Sequence, residues 1–366
     1  MALMPTSIKI AHIIVRLDQG GAEQSLARLV RDDGGDHTIV CFGSPTALSQ
    51  EIEAQGGEIH FFTMSPAGIW QARQLLRARQ PGVVQGWMYY GNFLASLISP
   101  LGSKTAWNIR STMSRNYPFK IRCVIGLSRF MTPDLVLYNA HAGQQSHVFF
   151  NSGSTQVIPN GIDTQIYAPS EAGRASVRES LGWGDSAVVI AMVTRFHPDK
   201  GVGEFLHMVK ALQAAGHPAP KFVLIGRGMS ADNPKLQAVL AEVGVSEMSV
   251  QLLGERRDMV QIYAALDVLV VASYREGLPN VMLEAMSSGV TVVGTDVGDV
   301  AKIVADGQRV FPAADQLALT QAVEFAVAHK GEFALRDRQR IVDEYDSERC
   351  RQAYKAMYIQ LTHTDI

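Results

Sequence analysis

Residues 267–289 read DVLVVASYREGLPNVMLEAMSSG, and the order of patterns in this stretch decides the fold. Val268 to Ala272 form an uninterrupted apolar run, as in a strand buried on both faces of a parallel sheet. Ser273 to Gly277 make a polar elbow. Pro279 then opens a helical pattern that Gly289 closes, since proline suits the first turn of a helix and glycine the position just past its end. Strand, tight loop and helix in this order place a helix N-terminus at the carboxyl end of a parallel strand. Phosphate-bearing ligands favour such places, because free backbone N–H groups and the helix dipole point at them. Glu276 in the elbow and Glu284 in the helix bracket the turn, and a carboxylate is a natural acceptor for paired hydroxyls.

The same alternation extends in both directions. Apolar strand runs are expected at 9–15, 37–42, 58–62, 83–87, 105–109, 134–139 and 155–159, with amphipathic stretches such as Gly68 to Arg79 between them. Residues Arg110 to Met131 show weak periodicity and are expected as loop with some helix. Pro159-Asn160-Gly161-Ile162-Asp163, followed by Pro169, is punctuation, and a hinge is placed around 160–175. The pattern then restarts at 187–193, 221–226, 250–254, 267–272 and 290–294, with a short sixth candidate at 309–311. Gln316 to His329 and Arg336 to Gln360 are expected as two further amphipathic helices. At 366 residues the chain exceeds one ordinary core. The expectation is two Rossmann-like α/β domains, 1–165 and 166–346, with parallel sheets facing across a cleft.

Composition narrows the class. Mean hydropathy is near zero, and no apolar run reaches the roughly 18 residues that span a bilayer. The N-terminus lacks the basic and small-residue features of a signal peptide. Cys41, Cys123 and Cys350 are scattered, so neither a disulfide framework nor a zinc site is indicated, and a cytoplasmic location is expected. No Asp or Glu lies between Glu58 and Asp134, an interval holding Arg73, Arg77, Arg79, Lys104, Arg110, Arg115, Lys120, Arg122 and Arg129. Such an interval is either solvated surface or a positive face for anionic lipid or a pyrophosphate-bearing acceptor. Nucleic acid is not expected at an overall pI near 6.6.

Several strand ends carry candidate chemistry. Gly20-Gly21 follows the first strand, either a plain turn or a place where backbone approaches a ligand. Thr194 to Gly201 follow the first strand of the second half. There Arg195 and Lys200 are either solvated cations or the groups that neutralise a departing diphosphate. His197 and Asp199 are expected as loop surface. Gly226-Arg227-Gly228 is an incomplete dinucleotide fingerprint, read as a close-approach loop. Arg256 is a weaker candidate contact to a base, and Asp258 is equally a helix N-cap. Backbone amides of Gly277, Leu278, Asn280 and Val281 are expected to point at the ligand of the elbow. No Asp-x-Asp pair, His-Glu-x-x-His or Gly-x-Ser-x-Gly occurs, so no metal site of the usual sequence type and no hydrolase elbow are suggested.

IPNGID (158–163), TRFHPDKG (194–201) and REGLPNVMLEAMSSG (275–289) resemble, in order and spacing, the signatures of the retaining glycosyltransferases of family 4, which have the GT-B fold. GGAE (20–23) and WNIR (107–110) are similar to the bacterial surface-polysaccharide branch of that family. The resemblance implies that Arg195 and Lys200 bind a donor diphosphate, that Glu284 holds the ribose and that Glu276 lies at the transferred sugar. It implies that Gly20-Gly21 closes on the diphosphate, and that a helix at about 347–366 packs back on the N-terminal domain. The implied donor is a UDP- or GDP-linked sugar, with no cofactor or metal. The implied acceptor is lipid-linked or a glycan, with Tyr90 and Arg110 on its side and peripheral contact with the inner face of the cytoplasmic membrane. Related sequences often carry a histidine after WMY where this chain has Tyr90. The rival readings are a nucleotide-sugar epimerase or hydrolase, and a catalytically silent nucleotide-sugar-binding partner.

Overall fold

The computed structural model describes residues 8–18, 20–33, 35–114, 117–150, 153–215 and 220–363. Arg115 of the basic interval lies outside them. Each expected apolar run forms a strand, with ends shifted by one or two residues. The first sheet holds β1 (Lys9–Ile14), β2 (Asp36–Cys41), β3 (Glu58–Phe61), β4 (Val83–Trp87), β5 (Lys104–Ile109), β6 (Leu135–Tyr138) and β7 (Ser154–Val157). The second holds β8 (Val189–Val193), β9 (Lys221–Ile225), β10 (Val250–Gly254), β11 (Val268–Val271), β12 (Thr291–Thr295) and β13 (Val310–Phe311). Every pairing in both sheets is parallel. The chain divides into one unit of Met1–Gly161 with Glu348–Ile366, and a second of Ile162–Ser347.

The strand orders are β3-β2-β1-β4-β5-β6-β7 and β10-β9-β8-β11-β12-β13. In each sheet the order reverses beside the first strand, between β1 and β4 and between β8 and β11. Loops leaving a strand pair at such a switch point part toward opposite faces and leave a crevice at the carboxyl ends.

Both faces of each sheet are covered, which is why the strands read as continuous apolar runs. In β1, Ile10 and Ile14 pack with Leu26, Tyr354 and Tyr358, while Ala11 and Ile13 pack on the other face with Val40, Leu76 and Leu94. Tyr354 and Tyr358 belong to the helix Ser347–His363. The Asn108 side-chain amide donates to the Tyr354 hydroxyl at 3.0 Å, and the Tyr358 hydroxyl donates to Gln85. His12 shares this interior face. Trp87 Nε1 donates to its Nδ1 at 3.1 Å, which leaves His12 Nε2 to donate to His37 Nδ1 at 2.9 Å. Burial, reinforced by His37, holds His12 well below the ordinary histidine range.

The structure departs from the sequence reading in the late helices. The two late helices do not break near residue 330. One helix runs through Gln316–Tyr345, because Gly331 costs only about 1 kcal/mol in a helix while Phe333 and Asp337 are buried on its inner face. The break falls at Asp346, whose backbone is extended. There the Ile162 amide donates to Tyr345 O, the Ser347 amide donates to Ile162 O, and Thr164 Oγ1 donates to the Asp346 carboxylate at 2.6 Å. The stretch 110–131, expected as loop with some helix, holds the helix Phe119–Ser128. Its periodicity is weak because apolar residues occupy two faces. Ile121, Val124 and Ile125 pack inward, whereas Phe119 and Leu127 are exposed.

Candidate functional site

The elbow sits at the switch point of the second sheet. The loop after β8 carries Arg195 and Lys200, and the loop after β11, its neighbour in the sheet, carries Glu276. Lys200 Nζ donates to Glu276 Oε1 at 2.5 Å, and Ser273 Oγ donates to the same oxygen at 2.6 Å. Lys200 and Glu276 keep 21% and 12% of their side-chain surface exposed, so the pair is partly buried yet reachable from solvent.

Neighbouring loops clamp this elbow from both sides. From the β8 side, Asp199 O accepts the Tyr274 amide at 2.8 Å, and the Arg275 guanidinium donates to Asp199 Oδ2 at 2.7 Å. Gly201 has φ 66°, and a Cβ there would lie 1.9 Å from the Ala272 carbonyl oxygen. From the β12 side, Thr295 Oγ1 donates to Val271 O and Ser273 O at 2.9 and 2.8 Å, and the Asp299 amide donates to Gly277 O at 3.0 Å. Gly298, at φ 62°, has room for no Cβ against Glu276 O and Gly277 O. Gly201→Ala is therefore expected to cost about 1–3 kcal/mol through strain and overpacking and to move Lys200 off Glu276. A urea midpoint within error of wild type would contradict this.

The helix Asn280–Ser287 follows Pro279 and ends in a left-handed Gly289. The Gly289 amide donates to Met286 O and the Val290 amide to Ala285 O, a glycine-terminated helix end. Met282, Leu283, Ala285 and Met286 are buried, which leaves Asn280, Val281 and Glu284 as the half-buried positions of the helix. Leu278 is buried. Glu284 Oε2 accepts from the Tyr263 hydroxyl at 3.0 Å. Burial, with Glu284 adding to it, raises the Tyr263 pKa well above the ordinary range, so that the phenol stays a donor.

Other expected residues take different places. Arg195 is exposed, and among the described residues its side chain meets no acceptor. His197 is the N-cap of the short turn Pro198–Lys200, its Nδ1 accepting from the Asp199 amide at 3.2 Å. Gly226 makes its close approach to the protein itself: at φ 132°, a Cβ would lie 2.1 Å from Thr194 O. Arg256 is turned onto Asp258 by two hydrogen bonds of 2.9 and 2.6 Å, and Asp258 makes no side-chain cap. The Arg256 hydrogen bond holds the Asp258 carboxyl below its ordinary range.

In the first unit, Gly20-Gly21 follows β1 and Tyr90 follows β4, again on the two sides of the switch point. Met88 takes a left-handed φ of 61°, strained for a residue with a side chain. Tyr89 is buried and Tyr90 half-buried at the surface. His147 Nδ1 donates to Gly143 O at 2.8 Å, which leaves Nε2 to accept from the Tyr89 hydroxyl at 2.7 Å. Burial lowers the His147 pKa and keeps the ring in this neutral form. Arg110 donates to Ser25 Oγ at 2.7 Å, to Asn160 Oδ1 and to the Tyr354 hydroxyl at 3.4 Å. It thus ties the helix Gly21–Asp33 to the helix Ser347–His363.

Sequence reasoning missed Ser273, Tyr263, Thr295 and Gly298. Ser273 lay within the quoted stretch, but nothing local marks a serine as a partner of a glutamate. Tyr263, Thr295 and Gly298 act through contacts that exist only once the strands are ordered. Among the described residues, no group of three or more His, Cys, Asp or Glu is arranged to hold a metal ion.

Residues 187–329 match the family model for glycosyl transferases group 1. The chain is 33% identical over 159 residues to a D-inositol 3-phosphate glycosyltransferase of Stackebrandtia nassauensis, a match covering 41% of this chain and 35% of that one. The match thus spans about a third of the length of these curated relatives. EpsF of Bacillus subtilis, provisionally named a glycosyltransferase, is 25% identical over 315 residues, 79% of each chain. Among solved structures, Anabaena Alr3699/HepE in complex with UDP superimposes with a TM-score of 0.82 at 21% identity, covering 96% of this chain and 99% of that one. WaaG, a glycosyltransferase involved in lipopolysaccharide biosynthesis, has a TM-score of 0.71 at 15% identity, covering 95% and 99%. The second unit thus carries a glycosyl transferases group 1 domain, and the two parallel sheets are those of the GT-B glycosyltransferase fold.

Proposed function

We propose that this chain is a retaining, metal-independent glycosyltransferase. It moves a sugar from a UDP- or GDP-linked donor to a hydroxyl of a lipid-linked or glycan acceptor in surface-polysaccharide synthesis. The observation that carries the reading is the partly buried Lys200–Glu276 pair at the switch point of a glycosyl transferases group 1 domain. The relatives add support, since HepE binds UDP and UDP-glucose in a similar fold.

In this reading Arg195 and Lys200 neutralise the donor diphosphate, and the start of the helix Asn280–Ser287 faces its oxygens. Glu284, oriented by Tyr263, accepts from the ribose hydroxyls. Glu276, oriented by Ser273, accepts from the transferred sugar. The bond from the anomeric carbon to the diphosphate breaks as the acceptor oxygen bonds to that carbon on the same face. The acceptor proton passes to the departing phosphate oxygen. Charge on the leaving group rises through the step, so fixed cations stabilise the transition state more than the ground state. The first unit takes the acceptor near Tyr90 and Arg110, with the protein seated peripherally on the inner face of the cytoplasmic membrane.

A thermal-shift screen against UDP, GDP, ADP and their sugars tests the donor assignment. A ligand at about 100 times its Kd adds about 2.7 kcal/mol, enough to move the melting curve. If none of the nucleotides shifts it, the donor site is wrong. Release of free sugar or an epimer without acceptor would instead favour a hydrolase or epimerase.

A further inference from the structure

We propose that Ser25 is a positioning residue: tied to Arg110, it holds the Gly20-Gly21 turn in the form that meets the donor diphosphate. This assignment rests on the proposed contact of that turn with the donor, and its test reads donor binding alone. Two successive glycines are the least constrained residues a turn can hold, so their backbone needs an external tie to keep one form. Ser25 Oγ supplies it by donating to Gly21 O at 2.8 Å. Alone this is the ordinary bond of a helical serine to the carbonyl four residues back, and it leaves the hydroxyl free to rotate. Here the same oxygen accepts from Arg110 Nη2 at 2.7 Å, which occupies a lone pair and directs the single hydroxyl proton at Gly21 O.

The guanidinium is itself fixed on its other sides. It donates to Asn160 Oδ1 and to the Tyr354 hydroxyl at 3.4 Å, and its Cζ lies 5.4 Å from the centre of the Trp87 ring. Those partners are held as well, Asn160 Oδ1 by the Asn139 amide at 3.2 Å and the Tyr354 hydroxyl by the Asn108 amide at 3.0 Å. The planar fork of an arginine makes these bonds together, where a lysine could not. All of its acceptors are neutral oxygens, and among the described residues no carboxylate hydrogen-bonds to Arg110; Glu23 feels its charge from farther off. The bond to Ser25 is therefore charge-assisted, and no ion pair competes for the guanidinium. On the other side of the turn, the Gln24 amide donates to Gly20 O at 3.0 Å. Both glycine carbonyls are thus tied, one of them through Ser25 to a half-buried network spread over the first unit.

UDP with UMP, and GDP with GMP, are titrated by calorimetry into the full chain and its variants, and the pair that binds wild type more tightly is followed. A turn that visits its binding form less often weakens its ligand in proportion. Ser25→Ala is expected to weaken the diphosphate about tenfold and the monophosphate, which lacks the second phosphate, only about twofold. Ser25→Thr keeps the hydroxyl and should restore wild-type binding. Arg110→Gln should also weaken the diphosphate, and combining it with Ser25→Ala should add nothing, because both act on one carbonyl. Because no acceptor is present, any contact of Arg110 with one leaves these readings unchanged. The melting temperature of Ser25→Ala should stay within about 2 °C of wild type, so that loss of fold does not stand in for loss of the turn. Wild-type diphosphate binding by Ser25→Ala overturns the proposal, as do equal losses for the two nucleotides, no restoration by threonine, or additive losses in the double variant. If neither UDP nor GDP binds the wild type, the donor reading itself falls and this assignment with it.

Discussion

Glu276→Ala and Lys200→Ala are each expected to lower turnover by about 10²–10³-fold, the loss seen when a fixed group acting on transition-state charge is removed. The two substitutions should divide their effects differently. In the proposed mechanism Lys200 meets the diphosphate in both ground and transition states, so its loss should raise the donor KM as well as lower kcat. In the same proposal Glu276 orients the reacting sugar, so its loss should fall mainly on kcat. Glu276→Gln keeps the Ser273 hydrogen bond but removes the charge facing Lys200, and should lie between wild type and alanine. Circular dichroism melts should stay within a few degrees of wild type, because the clamp on the elbow is made by Gly201, Thr295, Gly298 and Asp299, not by these side chains. Wild-type turnover in either alanine variant would remove the pair from the mechanism.

Asp267→Ala is expected to cost about 3–5 kcal/mol, because it leaves a buried cation without its partner. Asp267 opens the stretch that defines the fold, at the end of β11 opposite the elbow. Its Oδ2 accepts from the Val189 amide at 2.8 Å and from Arg178 at 2.7 Å, and its Oδ1 from Arg174 at 2.8 Å and Lys330 at 3.0 Å. Arg178 is only 1% exposed and also donates to Ala265, Gly184, Asp185 and Ala187 carbonyls. Arg174 and Lys330 are about a third exposed and screened by solvent, so most of the cost belongs to Arg178. At about 2–4 °C per kcal/mol for a unit of this size, the melting temperature should fall by about 6–20 °C.

The same carboxylate is expected to make the second unit acid-sensitive. Burial opposes ionisation of Asp267, but the Val189 amide and the Arg174 and Lys330 cations outweigh it and hold its pKa below the ordinary range. A depressed folded-state value means that the contribution is complete above the unfolded value, about 3.9, and is lost as pH falls through the folded one. Urea midpoints of wild type and Asp267→Ala should therefore differ fully at neutral pH and converge in acid. A constant difference down to about pH 2 would show that the ion pairs are not its source.

Much of the fold was legible because its signals are local. The runs at 187–193, 221–226, 267–272 and 290–294 are strands because each buries apolar side chains on both faces, a requirement written into consecutive residues. The elbow and its helix were legible for the same reason, since Pro279 and Gly289 set backbone geometry at their own positions. Legibility failed where a choice depended on distant partners. Gly331 carries a helix-breaking signal that packing of Phe333 and Asp337 overrides, so the break moved to Asp346. Arg256 has a charge suited to a ligand, yet the nearest carboxylate takes it.

Sequence by itself determined the strands, their loops and the types of residue those loops present, because dihedral preference and burial period act over a few residues. Only the tertiary structure decided that β8 lies beside β11. That order of strands is what brings Lys200 within 2.5 Å of Glu276 across 76 residues of chain. Strand order is settled by which faces the crossover helices can bury together, and no stretch of neighbouring residues encodes it.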